Sequence, residues 1–184
     1  GPGGEKVHRE GDGMEIAELA LGGGVVAICP MPGRGGAYGA DLRRVLAWGP
    51  DLVLTMTPRE ELAARDAADL PGDLAAAGIG WLHVPITDFG VPEAATAALW
   101  PAAAARVRAV LAAGGRVLVH CMGGCGRSGM AVLRLMVEAG EAPEAALARL
   151  RTARPCAVET AAQFAWAVEG QATGRGTGPE SAGA

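Results

Sequence analysis

Short apolar segments alternate with longer stretches of helical periodicity along the chain. Two of the short segments flank three consecutive glycines and predict a β-hairpin, and three further apolar runs predict buried strands. The predicted strands are residues 14–21, 25–29, 52–56, 81–84 and 116–120. The predicted helices are 42–48, one opening at 58, 74–77, 93–113, 127–139, 143–153 and 159–168. This alternation predicts a single α/β domain whose central, mostly parallel sheet is flanked by helices.

Three details of this pattern are specific enough to test. Asp41 stands where an N-cap would start the first helix. Pro101 is expected to bend or split the helix over 93–113. The stretch 127–139 is apolar nearly all round, so it is expected to be the buried central helix.

The ends of the chain differ in composition from the middle. Residues 1–13 look like a tag scar with a polar lead-in, and residues 171–184 are rich in Gly, Ser, Thr and Ala without an apolar period. The predicted domain is therefore 14–170, with a disordered tail after it.

Composition excludes several classes of partner. The net charge is −4 and no apolar run of membrane-spanning length occurs, so neither a nucleic acid nor a membrane is expected as a partner. Four cysteines at irregular spacing do not suggest a disulfide framework, which favours a cytoplasmic location. Cys29 and Cys156 are interpreted as small buried apolar residues.

The segment between the last strand and the apolar helix carries the candidate chemistry. A turn from a strand into a helix aims backbone N–H groups at one point and binds anions, above all phosphate. Cys121 begins this turn, where a helix N-terminus favours a nucleophilic thiolate. Arg127 follows in the first turn of the helix, and its planar fork can hold two phosphoryl oxygens. The predicted phosphate-binding residues are Met122, Gly123, Gly124, Cys125, Gly126 and Arg127.

Three further residues receive roles in this hypothesis. The Ser128 hydroxyl is expected to donate a hydrogen bond to the Cys121 sulfur and so to ease the departure of the thiolate. His120 is interpreted as an orienting residue rather than a base. Asp88 lies in a loop after a strand and is the candidate general acid, because the carboxyl ends of parallel strands meet at one edge; the alternative is a turn residue that caps the next helix.

Other interpretations of the same residues remain open. The glycines at 124, 126 and 129 match a dinucleotide fingerprint, which also expects a second strand downstream. His120, Cys121 and Cys125 are too few for a closed zinc site. Cys125 is either a packing residue or a redox partner of Cys121. His83 fits a core or edge histidine, and Arg154 fits either a second phosphate contact or a surface ion pair.

The motif His-Cys-x5-Arg-Ser at 120–128 resembles the signature of the protein tyrosine and dual-specificity phosphatases. The Asp88 loop resembles their general-acid loop, and the loop at 30–33 with the segment 154–163 resembles the compact dual-specificity branch. Within it the chain is most similar to the cyclin-dependent-kinase-associated phosphatases and their bacterial relatives. The resemblance implies a dual-specificity phosphatase-like fold and a two-step reaction through a phosphocysteine, without a metal or other cofactor. Around Gln163 the chain does not reproduce the glutamine pair that positions water in larger tyrosine phosphatases.

The expected substrate is a phosphorylated protein or a small phosphate monoester. The variable loop positions 122–125 are uncharged, which disfavours polyphosphorylated lipids. Two alternatives from other classes are a catalytically idle phosphopeptide-binding module and a rhodanese-type sulfurtransferase. The oligomeric state is not predicted.

Overall fold

The computed structural model describes residues 14–172, so the predicted lead-in 1–13 and the tail from 173 onward lie outside the described residues. Its strands are β1 (Ala17–Leu21), β2 (Gly24–Cys29), β3 (Leu52–Thr55), β4 (Gly80–His83) and β5 (Arg116–His120). Its helices are α1 (Tyr38–Trp48), α2 (Arg59–Ala64), α3 (Leu70–Ala76), α4 (Ala94–Ala97), α5 (Trp100–Ala112), α6 (Gly126–Glu138), α7 (Pro143–Ala153) and α8 (Ala161–Val168).

The strands form one five-stranded sheet in the order β1-β2-β5-β3-β4. β1 runs antiparallel to β2, and every other pairing is parallel. The register brings Cys29 and Thr55, the last residues of β2 and β3, beside His120 at the end of β5. The carboxyl ends of three parallel strands therefore meet where the candidate chemistry begins. The predicted α/β fold with a mostly parallel sheet is confirmed.

Each face of the sheet carries its own apolar core. In one core, apolar side chains of the strands pack against α5, α6, α7 and α8. In the other, side chains from the opposite face of the strands pack against α1, α2 and α3. α6 is buried along almost its whole length, as its apolar sequence predicted. Burial of apolar area of this extent is the main stabilising term of such a domain. It also fixes the first turn of α6, where the candidate site lies.

The helix features predicted at Asp41 and Pro101 have different outcomes. Asp41 does not cap α1: the helix already begins at Tyr38, and the buried Asp41 carboxylate accepts a hydrogen bond of 2.8 Å from the backbone N–H of Gly33. It thus fixes the turn before the helix rather than its first N–H groups. The helix expected over 93–113 is split into α4 and α5, with Pro101 in the first turn of α5.

Within residues 14–172, no helix is long and apolar enough to cross a membrane.

Candidate active site

The turn between β5 and α6, residues 121–125, includes one position whose backbone conformation favours glycine. Gly124 has a φ of +71°, and a methyl group at its Cα would lie 2.7 Å from backbone atoms of Cys29 and Pro30. The loop is also hydrogen-bonded to its neighbour, since the N–H of Met31 donates to the carbonyl of Met122 at 3.0 Å. Close packing against the end of β2 therefore fixes the curvature of this turn.

Cys121 lies buried at the base of the turn, 2% exposed. The backbone N–H of Ser128 points at its sulfur at 3.5 Å. Within residues 14–172, the backbone N–H groups of the loop residues 122–125 and of the first helical residues 126–127 donate to no protein acceptor. First-turn amides of a helix have no helical acceptor, so they are available to an anion above Cys121.

The expected hydrogen bond from the Ser128 hydroxyl to the Cys121 sulfur is not made. The hydroxyl oxygen is buried and has no partner in the described part of the chain. The sulfur is approached instead by the Ser128 amide, because the first turn of α6 directs its N–H groups toward the turn.

Arg127 is buried, 1% exposed, and held by charge on two sides. Its Nη1 and Nη2 donate to the two carboxylate oxygens of Glu61 at 2.8 and 2.9 Å, and Nη1 also donates to the carbonyl of Ile86 at 2.9 Å. Burial opposes the charge, but the Glu61 hydrogen bond and the neighbouring Cys121 and Asp88 outweigh it, so the pKa of Arg127 is raised. The guanidinium is therefore permanently charged and fixed in direction.

Sequence reasoning missed Glu61. The available signal was that its helix, α2, follows the carboxyl end of a strand next to β5, where parallel-strand sites are built.

His120 is fully buried directly before the cysteine. Its Nε2 is 2.7 Å from the Thr55 hydroxyl and its Nδ1 is 3.1 Å from the carbonyl oxygen of Cys121. The Trp81 indole N–H in turn donates to Thr55 at 2.8 Å. Burial lowers the pKa of His120 to about 4, so the ring is neutral near pH 7. The ring has the contacts of an orienting residue, whereas Thr55 and Trp81 were not predicted as parts of the site.

Asp88 meets the phosphate-binding turn at Arg127. Its Oδ1 lies 3.2 Å from Nη2 of Arg127, while its side chain remains 54% exposed. The same oxygen accepts a hydrogen bond of 3.0 Å from the N–H of Phe89. Asp88 does not cap the next helix, because Glu93 occupies the N-cap of α4. A carboxyl group therefore lies at the open side of the loop.

Arg154 contacts the back of the loop. Its Nε and Nη2 donate to the carbonyls of Gly124 and Gly123 at 2.9 and 3.0 Å, and its Nη1 pairs with Glu15 at 3.2 Å. The surface ion pair is present, but the loop contacts were not predicted. By binding carbonyl oxygens, Arg154 turns these peptide units so that their N–H groups face the opposite way.

The predicted roles of Cys125 and Cys156 are wrong. Cys125 forms a disulfide with Cys156, and Cys156 is exposed rather than buried. Cys125 therefore is not available to pair with Cys121 in this structure. The segment after α7 packs against the phosphate-binding turn. The two cysteines are 31 residues apart in the sequence, so their contact could not be predicted from local order. Cys29 is buried and free, as is Cys121, and burial raises the pKa of the Cys29 thiol, with Cys121 as the second cause.

The dinucleotide interpretation does not fit the topology. α6 leads into α7 and α8, and no strand follows β5 in the described residues up to 172. The second strand and its acidic residue, which that interpretation requires, are missing there.

Similarity to known proteins concerns the family and the fold of this chain. A family model described as "Polymorphic toxin system, DSP-PTPase phosphatase" matches residues 32–141. No curated protein matches the sequence.

Solved structures show the same fold. A kinase associated phosphatase with its catalytic-site cysteine replaced by serine has a TM-score of 0.76 at 23% identity, covering 88% of this chain and 96% of that one. Tk-PTP in its active form gives 0.64 at 27% identity, with 84% and 95% covered. PTPMT1 in complex with PI(5)P gives 0.68 at 22% identity, with 82% and 92% covered. Because the family model spans more than half of the sequence, the chain belongs to the DSP-PTPase phosphatases of polymorphic toxin systems, within the dual-specificity phosphatase superfamily.

Proposed function

We propose that the protein hydrolyses phosphate monoesters through a phosphocysteine intermediate. Cys121 attacks phosphorus, the amides of 122–127 and the Arg127 guanidinium hold the phosphoryl oxygens, and Asp88 protonates the leaving oxygen. The observation that carries the proposal is the meeting of three groups. A buried thiol lies beneath available amides, beside a guanidinium that also contacts an exposed carboxyl group.

The electrostatics suit transfer of a phosphoryl group. In the transition state, charge spreads over the non-bridging oxygens, and prearranged donors stabilise it without reorganisation. Arg127 is prearranged by Glu61, and its Nε has no protein partner among the described residues, so that edge can donate to an oxygen. Asp88 reaches the same guanidinium from the exposed side, where a leaving group would depart.

As substrates we propose phosphotyrosine in proteins and, beside it, phosphoserine or phosphothreonine. PTPMT1 has been solved in complex with PI(5)P. In this chain the loop positions 122–125 are Met, Gly, Gly and Cys, none of them charged, so the loop itself offers no side chain to a second phosphate. This favours a substrate with a single phosphoryl group.

The test is hydrolysis of para-nitrophenyl phosphate in EDTA between about pH 5 and about pH 8, comparing wild type with Cys121→Ser. We expect metal-independent turnover that the variant loses, by roughly 10⁴-fold or more, because a neutral hydroxyl is a far weaker nucleophile than a thiolate. Turnover retained by Cys121→Ser would contradict the cysteine mechanism.

The same samples decide between the alternatives. Fully reduced wild type that binds phosphopeptides but does not turn them over would indicate the idle binding module. Transfer of sulfur from thiosulfate to cyanide, with no phosphatase activity, would indicate the sulfurtransferase. We favour the phosphatase because the sulfurtransferase has no evident use for Asp88 at Arg127.

A cytoplasmic location is part of this proposal, since a nucleophilic Cys121 must stay reduced. Reduction of the Cys125–Cys156 bond would accompany it in that compartment.

A further inference from the structure

Hydrolysis of a phosphocysteine needs a water molecule that loses a proton as it attacks phosphorus. Asp88 is one carboxylate near the site, but its Oδ1 already contacts the Arg127 guanidinium and the N–H of Phe89. A second carboxylate borders the end of the phosphate-binding turn.

That second carboxylate is Glu159, between α7 and α8. The chain is fixed just before it, because the N–H of Val158 donates to the carbonyl of Cys125 at 3.2 Å. The Glu159 side chain then reaches the loop: a methyl group placed on Gly126 would overlap its Oε1. The carboxylate therefore lies against the residue that directly precedes Arg127.

The neighbouring polar side chain, Gln163, is hydrogen-bonded to two other segments. Its Oε1 accepts hydrogen bonds from the N–H groups of Glu159 and Thr160 at 2.9 and 3.3 Å, and its Nε2 donates to the carbonyl of Gly90 at 3.2 Å. Gln163 is completely buried, and its hydrogen bonds join the start of α8 to the Asp88 loop.

Glu159 has the opposite character. It is exposed, and within residues 14–172 its carboxylate takes part in no hydrogen bond or ion pair. The Gln163 contacts hold its backbone, and the carboxylate lies beside Gly126.

We propose that Glu159 is the general base of the second step, an inference that rests on the proposed phosphatase function. The water oxygen forms a bond to phosphorus, and its proton passes to the Glu159 carboxylate. The bond between phosphorus and the Cys121 sulfur breaks, and its electron pair returns to sulfur as the thiolate. Inorganic phosphate leaves, and Glu159 gives its proton to solvent.

The test separates the two steps in time. Rapid mixing with para-nitrophenyl phosphate measures nitrophenolate released in the first turnover and at steady state, and acid quenching followed by intact-mass measurement counts phosphorylated enzyme. Glu159→Gln keeps the shape of the side chain and removes its basicity. We expect a burst of about one nitrophenolate per enzyme at the wild-type rate, a steady-state rate lowered roughly 100-fold, and accumulated phosphoenzyme.

Two further variants sharpen this test. Glu144→Gln, an exposed first-turn glutamate of α7, is the matched control and should behave as wild type. Glu159→Asp should recover part of the steady-state rate. The acidic limb of the steady-state pH profile should weaken in Glu159→Gln, an effect that loss of a purely structural contact would not produce.

Three outcomes would overturn the inference while wild type still turns over. The first is a Glu159→Gln steady-state rate within about twofold of wild type, well below the ~100-fold effect of losing a general base. The second is loss of the burst together with turnover, which indicates damage to the loop. The third is accumulation of phosphoenzyme in Asp88→Asn but not in Glu159→Gln, which assigns the base to Asp88. Absence of turnover in wild type would instead refute the proposed function.

Discussion

The two loops that meet at Arg127 are built in opposite ways. The phosphate-binding turn, 121–125, is held from behind by Arg154, by the Met31 amide, by the Val158 amide and by the disulfide at Cys125. The Asp88 loop, residues 85–92, has its charged side chain and Phe89 more than half exposed. At its start the buried Ile86 is hydrogen-bonded to Met56 and to Arg127. Residues 87–92 are held by a turn from Gly90 to Thr87, the Gln163 contact and the ion pair with Arg127.

The difference matches the two tasks. A cradle for a phosphoryl group gains most from donors that are already aligned, so it is packed against the ends of the strands. A group that delivers a proton to a leaving oxygen must admit the substrate first. Because Asp88 and Phe89 are largely exposed, we expect the part of the loop after Ile86 to open at a lower free energy than the phosphate-binding turn.

The most damaging change should be one that disturbs the cradle itself. Gly124→Ala places a methyl group 2.7 Å from backbone atoms at a φ of +71°. We expect kcat/KM to fall by roughly 100-fold or more, since small displacements of aligned groups are costly, and the free energy of unfolding to fall by about 2–4 kcal/mol. Phosphatase assays and urea denaturation measure the two effects.

Gly78→Ala is the matched control for this prediction. Gly78 has a φ of +76° with nothing within 4 Å of an added methyl group, so it carries the backbone strain without the collision. It should cost about 1–2 kcal/mol of stability and leave kcat/KM unchanged. Equal losses in both variants would mean that the packing of Gly124 does not matter to the cradle.

Removing the carboxyl group of the exposed loop should affect chemistry and spare the fold. Asp88→Asn should lower turnover of phenyl phosphate by roughly 100-fold but that of para-nitrophenyl phosphate only several-fold, because a good leaving group needs little protonation. The melting temperature should stay within about 2 °C of wild type, since exposed positions contribute little. Glu93→Gln, exposed in the same loop region, serves as the control. Equal losses on both substrates would remove Asp88 from the mechanism.

Glu61 fixes the guanidinium of Arg127, the residue at which the two loops meet. Glu61→Gln leaves Arg127 buried without its bidentate partner, so we expect a loss of roughly 1–3 kcal/mol in stability and roughly 10- to 100-fold in kcat/KM. Denaturation curves and steady-state assays measure both losses. Glu60→Gln, the exposed neighbour on α2, should change neither quantity. A Glu61→Gln protein as active as wild type would show that Asp88 and the loop suffice to hold Arg127.

The smallest effect on activity is expected from the disulfide. Thiol titration of the unreduced, unfolded chain should find two free cysteines, Cys29 and Cys121, and four after reduction. Cys156→Ser should lower stability by about 2–4 kcal/mol without reductant and change kcat/KM by less than about threefold, because other contacts also hold the loop. Cys29→Ser is the control for thiol loss alone. Four free thiols before reduction would contradict the pairing.

The sequence predicted the reacting residues of the site but not the residues that support them. Cys121 and Arg127 lie within one short segment, so their chemistry was visible in local order, as was the meeting of Asp88 with that segment through the strand pattern. The supports were not visible, because Glu61, Arg154 and Cys156 reach the loop only through tertiary packing. The Ser128 hydroxyl was assigned a contact that its own backbone amide makes instead, a choice set by helix geometry.

The central claim is that the substrate's phosphoryl group is transferred to Cys121. Wild-type enzyme mixed with excess para-nitrophenyl phosphate, quenched in acid during turnover and digested, should yield the peptide containing Cys121 with a phosphoryl group on sulfur. Cys121→Ser treated alike should yield none. Steady turnover without a modified Cys121 peptide, or with the phosphoryl group on another residue, would contradict the account.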